Sequence, residues 1–287
     1  MKIAISGSNG YIARNLIREL VAANYEIVPI KRSVLSDIGH LTELLSNTSV
    51  VINLAGAPIL TRWTIAAKNE ILSSRIDTTR NIVQAINNLA SDKRPTLFIS
   101  ASAVGIYSAD QVHTEESTSF STDFVGEVVN NWENASAELS SSVRKVIFRI
   151  GLILGKEAKT IQNLAPVFKM GLGGKIGTGK QPFPFIHIND VIRAILWSIE
   201  NEKTHGTYNL VAPENIDNKT FTKTLAKILK RPAFFTVPTF ILKIILGKAS
   251  ILLLQSPQIF PERLLNEGFE FSFPDVNSCL AEINCRY

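Results

Sequence analysis

Residues 2 to 13, KIAISGSNGYIA, constrain this chain more than any other stretch. Ile3, Ala4 and Ile5 form a short apolar run that stops at Ser6-Gly7-Ser8-Asn9-Gly10. Ile12, Leu16 and Leu20 then recur at helical spacing, with Ile17 and Val21 beside them. The order is strand, tight glycine turn, helix. Such a turn aims the free amides of a helix N-terminus at whatever sits above the strand end, and a phosphate suits them. Gly7 and Gly10 permit positive φ or a close approach to the backbone, and Ala13 is small enough for the helix to lie against a sheet.

The spacing is G-x-x-G-x-x-A rather than G-x-G-x-x-G, and glycine-rich turns also close ordinary βα units. Its position between a strand and a helix at the start of the chain favours dinucleotide binding, with Gly7, Ser8, Asn9, Gly10, Tyr11 and Ile12 as the contact stretch. A second strand, Glu26 to Ile30, ends at Lys31-Arg32-Ser33. In a dinucleotide fold this position faces the adenosine ribose, where an acid would accept from a free 2′-hydroxyl. Two bases and a hydroxyl suit a 2′-phosphate, so NADP is the expected cofactor. The competing reading of Lys31-Arg32 is a solvated turn.

A third strand, Val50 to Leu54, runs into Ala55-Gly56-Ala57-Pro58, so that Leu54, Ala55 and Gly56 fall on the side where ligands bind in open α/β sheets. A helical segment from Thr64 to Ala90 leads to a fourth strand, Leu97 to Ile99, ending in Ser100-Ala101-Ser102-Ala103-Val104-Gly105-Ile106-Tyr107. A helix over 124–139 precedes a fifth strand, Lys145 to Ile150. Strands alternating with helices predict an α/β fold with a doubly wound, Rossmann-like parallel sheet. The expected division is a cofactor domain over 1–165, also using 186–201, and a smaller, mostly helical substrate domain over 166–287.

Within that second part, GLGGKIGTGK at 171–180 comes near a phosphate-binding P-loop but has Gln181 where a magnesium-binding hydroxyl belongs, followed by Pro182. It reads as a flexible connection at a domain edge. Residues 240–254, FILKIILGKASILLL, are the most apolar stretch. They are too short for a span of about 20 residues, and Lys243 and Lys248 interrupt them, so a buried helix pair is expected.

Composition sets the remaining limits. The chain has 287 residues, 45% of them hydrophobic, which is ample for a buried core. The net charge of +5 is mild and the Lys and Arg residues read as scattered, which argues against a nucleic-acid partner. Cys279 and Cys285 have no partner motif and read as reduced thiols of a cytoplasmic chain, with no signal peptide and no membrane partner expected. His187 has no second histidine at ligand spacing, so no metal is expected and a hydrogen-bonded structural role is the default.

These residues together give the chain a resemblance to an atypical extended short-chain dehydrogenase/reductase. More narrowly, it resembles the NAD(P)-dependent epimerase-like family that carries a small C-terminal domain of uncharacterised role. The carriers are Gly7-x-x-Gly10-x-x-Ala13, Asn53 to Ile59, Arg62-Trp63-Thr64, Ser74 to Arg80, Ser100 to Gly105, Trp132-Glu133, Arg149 to Gly155, Phe185 to Asp190, and the stretch from Phe234 to Phe273. The resemblance covers nearly the whole chain and says far less about substrate than about family.

The wider superfamily works with a serine and a Tyr-x-x-x-Lys pair, the tyrosine exchanging a proton with the substrate oxygen. None of Tyr11, Tyr25, Tyr107, Tyr208 and Tyr287 has a lysine four residues on, and Val125 and Val129 occupy the expected positions. The resemblance places Ser102 at the superfamily's catalytic serine, against the alternative of a satisfied hydroxyl at a strand end. Tyr107 is the other polar candidate, or else a packed aromatic. Arg75, Trp63 and Glu133 belong to the family motifs, with salt-bridge or packing roles at least as expected. Two functions follow: an NADP(H)-binding, epimerase-like oxidoreductase acting on an unidentified small molecule, or an NADP(H)-binding sensor without turnover. Substrate and oligomeric state are not legible here.

Overall fold

The structure is a computed structural model that describes residues 1–109 and 111–284; Cys285 and Tyr287 lie outside the described residues. The chain opens with β1 (Lys2–Ser6), α1 (Tyr11–Ala22) and β2 (Glu26–Ile30), followed by α2 (Arg32–Leu35), α3 (Ile38–Leu45), β3 (Val50–Asn53) and α4 (Ile65–Asn88). Next come β4 (Leu97–Ala103), the two-residue β5 (Val112–His113), α5 (Phe124–Asn134), β6 (Arg144–Ile150) and β7 (Leu152–Leu154). The second half contains α6 (Lys159–Lys169), β8 (Gly174–Ile176), β9 (Phe185–His187), α7 (Ile188–Glu200), β10 (Gly206–Leu210) and α8 (Asn218–Ile228). It ends with β11 (Phe235–Val237), α9 (Thr239–Leu246), α10 (Ile251–Leu254), β12 (Gln258–Ile259), α11 (Glu262–Asn266) and α12 (Val276–Asn284).

Six strands form one parallel sheet in the order β10-β6-β4-β3-β1-β2. The two-residue period of a strand sorts its side chains between two helical layers. Ile3, Ile5, Val50, Ile52, Leu97, Ile99, Val146 and Phe148 pack with α1 and α7. Ala4, Val51 and Phe98 face the other way, onto α3 and α4. Burial on both faces explains why the strands read as continuous apolar runs. The predicted Rossmann-like sheet is therefore present. It includes β10 as an edge strand, with α7 packed on α1, so the sheet layer is completed by residues beyond 185.

The chain passes from β1 out to β2 and back across to β3, so the strand order reverses between β1 and β3. In open α/β sheets such a reversal is where ligands bind, outside the carboxyl ends of the strands. Helix α5 ends at Asn134, earlier than the apolar pattern suggested: the chain turns at Ala135, which is buried, and Leu139 packs part-buried against the core.

The smaller lobe has its own core, in which Ile161, Ala165 and Phe168 of α6, Phe221 and Leu225 of α8, and Cys279, Leu280 and Ile283 of α12 interlock. Cys279 is fully buried, and burial raises its thiol pKa well above the ordinary range. Two expectations for this lobe are corrected. Residues 171–180 are not a free connection: β8 pairs in parallel with β11, Asn218 Oδ1 accepts from the Ile176 amide at 2.8 Å, and Gln181 Nε2 donates to the carbonyls of Ile176 and Leu253. The 240–254 stretch is not a buried helix pair either, because α9 contains no buried residue. Its apolar side chains were expected to supply core, but α6, α8 and α12 already fill it.

Candidate functional site

The turn after β1 has the geometry its sequence implies. Gly7 sits at φ 67°, and the Gly10 amide donates to the Gly7 carbonyl at 2.8 Å. A Cβ on Gly7 would lie 2.7 Å from the Leu54 carbonyl oxygen, so the turn after β1 and the loop after β3 touch backbone to backbone. Gly10 is the N-cap of α1 and offers no side-chain cap, and the first intrahelical bond is Arg14 N–H to the Gly10 carbonyl. The amides of Tyr11, Ile12 and Ala13 are thus left to an outside acceptor, which suits a pyrophosphate oxygen. Ser8 and Asn9 carry no side-chain hydrogen bond among the described residues, and Asn9 and Gly10 are exposed. The Tyr11 side chain turns away toward Gly155, and burial, then Glu157, push its hydroxyl up to about 12.

Lys31, Arg32 and Ser33 are all exposed at the carboxyl end of β2, where Lys31 caps α2. Among the described residues neither Lys31 nor Arg32 makes an ion pair, so both charges are available to a phosphate.

Leu54, Ala55 and Gly56 are fixed from below by a buried chain of hydrogen bonds. Ser6 Oγ donates to Asn53 Oδ1 at 2.6 Å and accepts from the Leu54 amide. Asn53 Nδ2 donates to Thr79 Oγ1 at 2.8 Å, as does Trp132 Nε1 at 3.1 Å. Arg75 donates to the carbonyls of Ile71 and Ala57 and lies against the Trp132 ring and Gly56. It has no carboxylate partner among the described residues, and burial pulls its guanidinium down to about 10.

A second buried network stands one row further along the sheet. Register aligns Ser102 of β4, Arg149 of β6 and Asn209 of β10. Arg149 donates twice to Glu133 of α5, at 2.8 and 2.7 Å, and once to the Tyr107 hydroxyl at 2.7 Å. Ser102 Oγ donates to Glu133 Oε1 at 2.5 Å, and Tyr107 donates to Asn209 Oδ1 at 2.8 Å. The Arg149 and Glu133 side chains are only 7% and 13% exposed, so this is a buried pair, and each guanidinium nitrogen of Arg149 donates a hydrogen bond. Burial works against the Arg149 charge, but the hydrogen bonds and charge of Glu133 prevail and raise its pKa above the ordinary range. Burial also raises the Tyr107 pKa, which keeps that hydroxyl protonated.

Ser102 and Tyr107 are thus brought together, 4% and 2% exposed, as members of one charged network rather than as free hydroxyls. Glu133 proves to be a salt-bridge partner, and Trp63 packs edge-on against Phe124. Val125 and Val129 are buried, and a Cβ on Gly105 would sit 2.6 Å from Val125 Cγ1, so α5 presses directly on the turn after β4. His187 caps α7 and meets Glu282 at 3.2 Å, the structural role expected of it. Asn209 and Glu115 were not anticipated. Glu115 accepts from the amides of Asn209 and Arg263, and no local pattern announces contacts across such long separations.

The parallel sheet, the reversal at β1 and β3 and the uncapped glycine turn define an α/β protein of the Rossmann type. Comparison with known proteins narrows this. Residues 3–211 match the model of the NAD dependent epimerase/dehydratase family, and residues 237–283 match a domain of unknown function. The chain belongs to the NAD dependent epimerase/dehydratase family. It is 32% identical to the chloroplastic epimerase family protein SDR39U1 homolog of Arabidopsis thaliana, covering 99% of this chain and 86% of the relative. It is also 32% identical to epimerase family protein YfhF of Bacillus subtilis, covering 99% and 98%. The crystal structure of human epimerase family protein SDR39U1 with NADPH superposes with a TM-score of 0.93 at 29% identity, covering both chains completely.

Proposed function

We propose that this protein binds NADP(H) along the carboxyl edge of β1, β2 and β3 and is an epimerase-like oxidoreductase acting on a small molecule. The observation that carries the reading is the pairing of an uncapped α1 N-terminus with two unpaired cations, Lys31 and Arg32, at the end of β2. The NADPH in the human relative's structure supports it. The cofactor's nicotinamide ring would supply the hydride; the chain's task is to hold and orient. Gly7 to Ile12 would take the pyrophosphate, Leu54 to Gly56 would flank the dinucleotide, and Lys31, Arg32 and Ser33 would meet the 2′-phosphate.

Any chemistry here runs without a Tyr-x-x-x-Lys pair. Ser102 and Tyr107 are the polar residues proposed beside the reacting end. With its proton directed at Glu133, the Ser102 oxygen keeps lone pairs that would accept from a substrate hydroxyl or amide donor. Tyr107 stays protonated and spends that proton on Asn209, so it would be a poor base. This commitment of both hydroxyls favours the second reading, a protein that binds NADP(H) and responds to it without turnover.

Calorimetric titration tests the binding claim. NADPH is expected to bind at least about tenfold more tightly than NADH, since a charge-assisted phosphate contact contributes roughly 1.5–3 kcal/mol. Arg32→Asp is expected to bring the two affinities near parity. Equal affinities in the unmodified protein would remove the proposal. Hydride transfer from labelled NADPH to any member of a carbonyl panel would select the oxidoreductase over the sensor.

A further inference from the structure

Helix α9 is apolar except for Thr239 and Lys243, yet none of its residues is buried. Phe240, Ile244 and Ile245 are 60%, 68% and 62% exposed, and Phe234, just before β11, is 90% exposed. Met170 and Leu172 extend the same surface from the end of α6, where Gly171 lies beside Pro232. Soluble monomers seldom leave apolar surface of this kind uncovered.

Charge indicates what covers it. Residues 218–261, which build α8, β11, α9 and α10, contain seven Lys and Arg and no Asp or Glu. Residues 158–189, which build α6 and β8, contain four Lys and no acid. Apart from these eleven, the chain's 30 Lys and Arg fall to 19 against 25 acids. The net positive charge of the protein is therefore drawn entirely from the two segments that frame the apolar face. On α9 itself Lys243 stands one turn from Phe240 and is exposed. Two copies meeting through this face would set like charges against each other, whereas an anionic surface complements it.

We propose that this face docks on an anionic phospholipid surface. Phe234, Phe240, Ile244 and Ile245 enter the boundary between headgroups and acyl chains, while the surrounding lysines meet the lipid phosphates. Among the described residues no helix is long and apolar enough to cross a membrane, so the contact is peripheral and reversible. A lipid-docking face departs from the sequence-based expectations of no membrane partner and of scattered basic residues.

Cosedimentation with vesicles tests this. Binding is expected with phosphatidylcholine vesicles containing about 30% phosphatidylglycerol, at least tenfold weaker with phosphatidylcholine alone, and released by salt. The double substitution Phe240→Ser/Ile244→Ser, and separately Lys243→Glu, should each weaken binding several-fold. All three positions are exposed, so the melting temperature should stay unchanged. Absence of binding at low salt, or equal binding to neutral vesicles, would overturn the proposal. So would light scattering that shows a dimer dissociated by Phe240→Ser/Ile244→Ser, because a second copy would then be the occupant.

Discussion

Replacing Glu133 by alanine is expected to destabilise the protein by about 3–5 kcal/mol, among the largest effects of any single substitution in the chain. The carboxylate is the counter-charge of Arg149 and the acceptor for Ser102, in a site almost closed to water. Its removal leaves a buried guanidinium whose one remaining hydrogen-bond acceptor among the described residues is the Tyr107 hydroxyl. Glu133→Gln should cost less, because one oxygen remains to accept from Arg149 or Ser102. Replacing both charges together, as in Glu133→Leu/Arg149→Met, should recover part of the loss, since no uncompensated ion then remains. Equilibrium unfolding in urea measures all three. A cost below about 1 kcal/mol for Glu133→Ala would mean the site is wet, and the network would lose its structural role.

Gly7→Ala is expected to cost about 2–5 kcal/mol and to weaken cofactor binding. Left-handed backbone costs an ordinary residue roughly 1–2 kcal/mol, and forcing an extra carbon into a packed site adds about 1–3 kcal/mol. At Gly7 both contributions act, because φ is 67° and the new carbon would lie 2.7 Å from the Leu54 carbonyl oxygen. Gly268 provides the internal control: its φ is 84°, but nothing lies within 4 Å of the position its Cβ would take. Gly268→Ala should show the backbone cost alone, without effect on NADPH affinity. If the two alanine variants unfold at the same denaturant concentration, the contact between the turn and the Leu54 loop is not rigid.

Much of the cofactor half was legible because its signals are local. The run Ile3-Ala4-Ile5, the stop at Ser6 to Gly10 and the helical spacing of Leu16 and Leu20 lie within one βα unit, and each side chain sits where that unit requires. The Glu133–Arg149 pair was only half visible. Both residues stand in family motifs, but their pairing depends on how α5 crosses β6, and Tyr107 meets Asn209 across 102 positions of sequence. The apolar run 240–254 misled for a different reason. Hydrophobicity measures the drive to leave water and does not say whether protein or lipid receives the side chain. For the proposed lipid contact the signal is regional: residues 218–261 carry seven Lys and Arg and no acid.

The central claim is that a phosphate-reading turn and a cation pair at the ends of β1 and β2 make this chain an NADP(H) protein. A crystal structure of the complex with NADPH tests it most directly. The pyrophosphate is expected against the amides of Tyr11 and Ile12, and the 2′-phosphate within about 3 Å of Lys31 or Arg32. A dinucleotide whose 2′-phosphate points into solvent, or one seated away from the β1–α1 turn, would contradict it.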